Sequence, residues 1–220
     1  MENLINQLKS FEKKVCNITN DTELQSIFEE LAPAFIYGGY IKVRDDYRVY
    51  IKTIEFYFHS EKVDGIHDPI VYHRNERDLE EAPYFPFMSL HAHSSGFDIT
   101  FENEIERYRA SVLIRAYEVI DKKDSFLKWK KINDNKSMFI GFNDYKYNTQ
   151  STYLYALLNG FSLGSINDIG WVDEPRKQTK PITKRTRQNV FQSASEWEYI
   201  PIKGKRCERE WSFTREDPIK

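Results

Sequence analysis

From Arg48 to Phe58 the chain reads Val49-Tyr50-Ile51-Lys52-Thr53-Ile54-Glu55-Phe56-Tyr57-Phe58, a run of β-branched and aromatic residues that predicts a strand. No other stretch constrains the fold as strongly. Strand parity puts Glu55 and Tyr57 on the face that carries Val49 and Ile51. A carboxylate among apolar neighbours is costly unless it is paired, protonated or at the edge of a pocket.

Further strands are expected from about Phe87 to His93, Phe97 to Glu102 and Ala110 to Ile120, with short candidates near Asn189 to Gln192, Glu198 to Ile202 and Glu210 to Thr214. Helices are expected at the flanks. Leu4, Ile5, Leu8, Phe11 and Val15 fall on one helical face, and Leu24, Ile27, Phe28 and Leu31 make a second stripe before Pro33. Asn20-Asp21-Thr22 offers caps for that second helix, and Thr22 with Gln25 has capping-box spacing. Gly38-Gly39 breaks the pattern. A later helix is expected from a Ser151 or Thr152 cap through Leu154, Leu157, Leu158 and Phe161. The predicted class is α+β, with a curved, mostly antiparallel sheet or partly open barrel flanked by helices. One domain over residues 1–220 is expected, with a helical N-terminal part at 1–47 and an α+β core at 48–215.

With 220 residues, 40% hydrophobic and 30% charged, the chain can bury one substantial core, which excludes collagen, coiled coil and bulk disorder. No apolar stretch approaches the roughly 20 residues of a membrane span, and Met1-Glu2-Asn3-Leu4 lacks the basic and apolar regions of a signal peptide. A cytoplasmic protein with no membrane partner is expected. Cys16 and Cys207, near opposite ends, suit a reducing compartment.

The net charge of -2 argues against a general polyanion binder, yet it hides an asymmetry. Residues 1–110 hold 12 basic against 20 acidic residues and residues 111–220 hold 20 against 14, balances of -8 and +6. Arg176, Lys177, Lys180, Lys184, Arg185 and Arg187 lie in a stretch without acidic residues. They could neutralise phosphates, or form a solvated loop, which Pro175 and Pro181 also favour.

The five histidines, His59, His67, His73, His91 and His93, fall close together, and His91-Ala92-His93 on a strand would point both rings one way. With Asp64, Asp68 or Asp98 these could hold zinc or iron, although no HExxH or comparable spacing occurs; hydrogen-bonded core histidines are the alternative. Glu55 and Tyr57 on one strand, His67 in the following connection and Arg115 on a later strand form a second constellation. A carboxylate kept ionised by a guanidinium can position a water and take its proton, while nearby rings stack on or donate to a planar ligand. An internal Glu55 to Arg115 ion pair with no reaction attached fits the same residues.

At these residues the chain resembles the alkyladenine (3-methyladenine) DNA glycosylase family. Ile51-Lys52-Thr53-Ile54-Glu55-Phe56-Tyr57 is similar to the family's I-V-E-x-E-A-Y strand, and Gly65-Ile66-His67 with His73-Arg74-Asn75 to its A-x-H segment ending near R-N. Val112-Leu113-Ile114-Arg115-Ala116-Tyr117-Glu118-Val119 resembles V-L-L-R-A-x-E-P, and Ser89 to Asp98 more loosely a strand like L-Y-V-Y-x-x-Y-G-M. Tyr153 to Gly164 would correspond to a late helix, and Arg187-Gln188-Asn189-Val190 with Trp211-Ser212-Phe213 to the closing strands.

The resemblance implies that fold and a monofunctional hydrolase that cleaves the N-glycosidic bond of a modified purine in DNA, without metal or organic cofactor. Glu55 would stand at the catalytic glutamate, Arg115 at the arginine that holds the attacking water, Tyr57 at a base-stacking tyrosine and His67 at the base-contacting histidine. His91 and His93 would rebuild the far wall of the base pocket, where the family's tyrosine falls on Ala92. Phosphate contacts would come from Arg176, Lys177, Lys180, Lys184, Arg185 and Arg187. The chain departs from the pattern at Ser95, where the family drives a tyrosine wedge into the duplex, and at Glu102 or Asn103, where some members carry an asparagine that filters purines. Without the wedge, single-stranded DNA, an already flipped base or a free nucleoside becomes a natural substrate. Two other readings fit the sequence: a non-catalytic nucleotide- or protein-binding protein of the same fold, and a metal-dependent hydrolase using His91 and His93.

Overall fold

The computed structural model describes residues 3–43, 47–68, 71, 82–93, 96–121, 129–133, 136–139, 169–187, 190–192, 197–198 and 205–216. Within them lie helices α1 (Leu4–Val15) and α2 (Asp21–Tyr37), then strands β1 (Gly39–Val43), β2 (Tyr47–Ser60), β3 (Leu90–His93), β4 (Gly96–Thr100) and β5 (Tyr108–Asp121). There follow β6 (Trp129–Asn133), β7 (Lys136–Phe139), β8 (Ile169–Asp173), β9 (Thr183–Arg185), β10 (Phe191–Gln192), β11 (Trp197–Glu198), β12 (Lys205–Arg206) and β13 (Ser212–Thr214). The main sheet runs β3-β4-β5-β2-β1-β8, with β13 on β2 and β9 on β13; β11-β10-β12 and β6-β7 form two small sheets. The chain is therefore α+β with an open sheet, antiparallel at every described pairing. No helix among the described residues is long and apolar enough to cross a membrane.

Helix α1 buries Leu4, Leu8, Phe11 and Val15, as its spacing predicts, while Ile5 stays exposed. Asn20 caps α2 by accepting a hydrogen bond from the Glu23 amide at 2.9 Å. Thr22 therefore lies inside the first turn, and the expected Thr22 to Gln25 capping box gives way to bonds from Gln25 to Glu29 and to the Glu210 carbonyl. The helix also continues past Pro33 to Tyr37. An internal proline costs about 3 kcal/mol, and the buried Phe35 and Ile36 beyond it offset that cost. The helical part ends before the expected residue 47: Gly39–Val43 alternates buried and half-buried residues at the strand period, and pairs with β2 and β8. The expected helix after Ser151 lies outside the described residues.

Both helices pack on one face of the sheet. Phe28 stacks on Phe56 with ring centroids 4.3 Å apart, and Phe11 meets Phe101 edge-on at 5.2 Å. Val49, Ile51, Ile54, Phe56 and Phe58 of β2 join this core with Val112, Ile114, Tyr117 and Val119 of β5.

That set corrects the expected parity. Val49 and Ile51 share the helix face with Ile54 and Phe56, so Glu55 and Tyr57 point to the opposite face. The cause is a pair of compensating irregularities: Ile51 pairs with Tyr117, Thr53 with Ala116 and Ile54 with Ile114, which leaves Lys52 and Arg115 each without an opposite residue. One extra residue inverts the alternation along a strand, and two, one per strand, keep both in phase. Arg215 closes the irregular stretch, donating from its amide to the Lys52 carbonyl at 3.0 Å and from Nε to the Ile51 carbonyl at 3.1 Å. Its guanidinium is buried and paired with Glu118.

Candidate active site

On the face away from the helices, β2 presents Glu55, Tyr57 and His59. The register aligns His91 of β3, Asp98 of β4, Leu113 of β5, Glu55 of β2, Ser212 of β13 and Arg185 of β9 in one row across the sheet. Arg115 Nε stands 3.3 Å from Glu55 Oε2, and the Tyr57 hydroxyl donates to the same oxygen at 3.3 Å. Glu55 is 1% exposed and Arg115 8%, so the pair lies at the edge of the interior with the guanidinium outermost. Burial, followed by the Glu55 carboxylate, pushes the Tyr57 hydroxyl well above its ordinary range. Tyr57 is thus held as a neutral donor.

A second buried pair supports the first. Arg187 donates to both Asp68 oxygens, at 2.6 and 3.1 Å, and its guanidinium lies over the rings of Tyr57 at 4.6 Å and Trp211 at 4.8 Å. Burial opposes the charge on Arg187, but Asp68 outweighs it and raises the pKa. The Asp68 amide donates to His59 Nδ1 at 3.1 Å. This contact ties the His59 ring to the backbone of the segment that carries Asp68.

The structure brings Glu55, Arg115 and Tyr57 together as the sequence suggested, and corrects other expectations. Tyr57, 2% exposed and covered by Arg187, presents no open ring for a base to stack on. His67 is half-buried, with its ring edge-on to His59 at 5.3 Å, towards the end of the face beyond Tyr57. His91 is half-buried beside Phe85, ring centroids 4.2 Å apart, while His93 pairs with Gly96 at the end of β3. Arg187 is 0% exposed and committed to Asp68, so it is not a phosphate contact. Arg176 is half-buried, donates to the Ile36 carbonyl at 2.7 Å and lies over Tyr50 at 4.5 Å. Lys184 pairs with Glu29 at 2.6 Å on the surface, and Lys177, Lys180 and Arg185 are exposed. The basic stretch is irregular only as far as Ile182; β9 follows and pairs with β13. His73, Arg74, Asn75 and Ser95 lie outside the described residues.

Sequence reasoning missed the Asp68 to Arg187 pair and placed Asp98 only among possible metal ligands. A signal for Asp98 existed: once His93 pairs with Gly96, counting back along the two strands sets His91 opposite Asp98. Glu102 is occupied by Arg109, 3.7 Å away, and by the Phe85 amide. Among the described residues no group of three or more His, Cys, Asp or Glu side chains is arranged to hold a metal ion. Compared with protein-family models, curated proteins and solved structures, the chain matches none.

Proposed function

We propose that this chain is a hydrolase of the N-glycosidic bond of a modified purine, acting as a monofunctional DNA glycosylase without metal or organic cofactor. The observation that carries this reading is the convergence of Arg115 and the Tyr57 hydroxyl on one oxygen of the buried Glu55 carboxylate. The Tyr57 hydroxyl donates to that carboxylate and the Arg115 guanidinium pairs with it, and a carboxylate held in place is what deprotonation of an attacking water requires. A buried ion pair seldom repays its desolvation in stability, so a role in chemistry is a better reason for its presence. Glu55 takes the proton of the water, Arg115 holds water and carboxylate together, and Tyr57 orients the carboxylate from below. His91 borders the base, with His67 further along the face. Lys177, Lys180, Lys184 and Arg185 supply phosphate contacts. Flipping a base out of duplex DNA costs a few kcal/mol, and with Ser95 where the family has its wedge, single-stranded or already unstacked substrates are favoured.

One observation favours a non-catalytic nucleotide- or protein-binding role instead. Glu55 and Tyr57 are 1% and 2% exposed, so a substrate has to enter from the side of Arg115 and His91. The deciding experiment is base release from single- and double-stranded oligonucleotides carrying 3-methyladenine, hypoxanthine or ethenoadenine. Wild type releases base, and Glu55→Gln lowers the rate at least about 100-fold at a temperature where urea unfolding shows the variant to be fully folded, since removing the carboxylate also costs the buried Arg115 its partner. Equal release by both proteins would remove Glu55 from the mechanism.

A further inference from the structure

On the helix face of the sheet, the face away from Glu55, lies a cavity of about 270 Å³ that the glycosylase reading does not use. Three segments wall it: the end of α1 with the link to α2, the end of β2 with the turn after it, and the start of β5 with the residues before it. Val15, Ile18, Phe58 and Val63 give the walls an apolar lining, while Lys62, Glu106 and Tyr108 bring polar groups to it.

The walls are held by bonds of their own. The Glu61 amide donates to the Arg107 carbonyl at 2.9 Å, which ties the turn after β2 to the segment before β5. The Glu106 amide donates to Asn103 Oδ1 at 2.9 Å and fixes that segment in turn. The Gly65 amide donates to the Lys62 carbonyl at 2.9 Å, and a Cβ at Gly65 would stand 2.1 Å from the Ser60 hydroxyl. Glycine thus lets the turn fold back on Ser60 and keeps Lys62 and Val63 at the rim.

The polar groups of the cavity differ in how far they are satisfied. Lys62 Nζ donates to the Cys16 carbonyl at 2.9 Å and stands 3.5 Å from Glu106 Oε2, and both side chains are half-exposed. A pair of this kind contributes little to stability, so a ligand that offers each partner the opposite charge separates them at little cost. Tyr108 is 4% exposed, yet its hydroxyl makes no hydrogen bond to a described residue. A buried hydroxyl in that position is costly until a ligand or water satisfies it. Burial, followed by Glu12, Cys16 and Glu106, keeps this hydroxyl protonated and able to donate. The Cys16 thiol donates to the Glu12 carbonyl at 2.9 Å, and burial followed by Glu106 keeps it un-ionised, so it adds no negative charge.

We propose that this cavity binds a free aliphatic α-amino acid as its zwitterion. The ligand carboxylate meets Lys62 and the Tyr108 hydroxyl, the ammonium meets Glu106, and the side chain packs on Val15, Ile18 and Phe58. Two features select this class. A lysine and a glutamate side by side match a ligand whose opposite charges are one carbon apart, whereas a peptide terminus carries only one of them. The volume lies at the small end of ligand sites, which suits a molecule of amino-acid size. Val63, 93% exposed at the rim, extends the apolar wall towards the entrance. The site is independent of the glycosylase reading and stands or falls without it.

The test is a titration of the full chain, followed through its amide NMR spectrum, with L-leucine, glycine, isocaproic acid, which lacks the amine, and isoamylamine, which lacks the carboxylate. L-Leucine binds with a Kd of about 1 mM or tighter and shifts the amides of the three walls, and the other three compounds bind at least about tenfold more weakly. Glu106→Gln brings L-leucine down to the affinity of isocaproic acid, and Lys62→Met brings it down to that of isoamylamine. Both residues are half-exposed, so both variants keep the fold, which their own amide spectra verify. No shift with L-leucine at about 10 mM overturns the proposal. Equal affinity for any of the three comparison compounds, or L-leucine binding that survives both substitutions, overturns it as well.

Discussion

The two faces of the central sheet are built from the same two strands on opposite physical principles. On the helix face β2 and β5 bury aliphatic and aromatic side chains against α1 and α2, and the stacked Phe28 and Phe56 typify it. Shape and area hold that side together. On the other face the same strands bury Glu55, Tyr57, Arg115, Ser111 and Arg109, with Asp68 and Arg187 packed over them. Here each charge is held by a partner, and removing one partner strands the other. The contrast teaches that β2 is not a uniform core strand. Its apolar side carries the fold, and its polar side concentrates buried charged groups that depend on one another.

Deletion of Lys52 is the most severe way to break this division. Removing the extra residue on β2 while Arg115 remains on β5 puts the strands out of phase and turns Glu55 and Tyr57 towards the helices. The deletion variant should lose its cooperative thermal transition, as followed by circular dichroism. Next comes Asp68→Asn, which leaves the fully buried Arg187 without its carboxylate and should cost about 3–5 kcal/mol in urea unfolding. The double variant Asp68→Leu with Arg187→Met should recover most of that loss, because apolar side chains of similar size need no partner. Failure of the double variant to recover would show that the pair also shapes Tyr57 and Trp211.

Acid gives a smaller effect. Burial opposes the charge on Glu61, but bonds from Tyr84 and Arg109 outweigh it and hold its carboxyl below the usual 4.5. A depressed carboxylate stabilises the fold above its unfolded value, and that contribution is lost as pH falls through the folded value. The urea midpoint should therefore decline between pH 5 and 3, and Glu61→Gln should flatten the decline. Lys184→Ala should have the smallest effect. Its partners Glu29 and Glu210 are solvent-exposed, so the midpoint should barely move, and any change should disappear in high salt.

The class of the fold and its longest strands were legible because they depend on local periodicity. The stripe of Leu4, Leu8, Phe11 and Val15 and the β-branched run through β2 each record which neighbours share a face. Strand β1 was missed because it is only five residues long, too few for the pattern to declare itself. Glu55, Arg115 and Tyr57 could be named from residue type and order, and the structure places them in contact. Arg187 could not be placed: its neighbours in sequence are basic, and only Asp68, 119 positions away, explains its burial.

By itself, then, the sequence determined an α+β chain, two amphipathic helices and a strand able to carry a carboxylate at Glu55. Tertiary structure alone decided which face that carboxylate occupies, which arginine stays at the edge beside it and which is sealed inside. The reason is that alternation along a strand is a local property, whereas the irregularity at Lys52 is stabilised by Arg215, more than 160 positions away. Nothing within β2 encodes that partner, and the partner sets the direction in which Glu55 points.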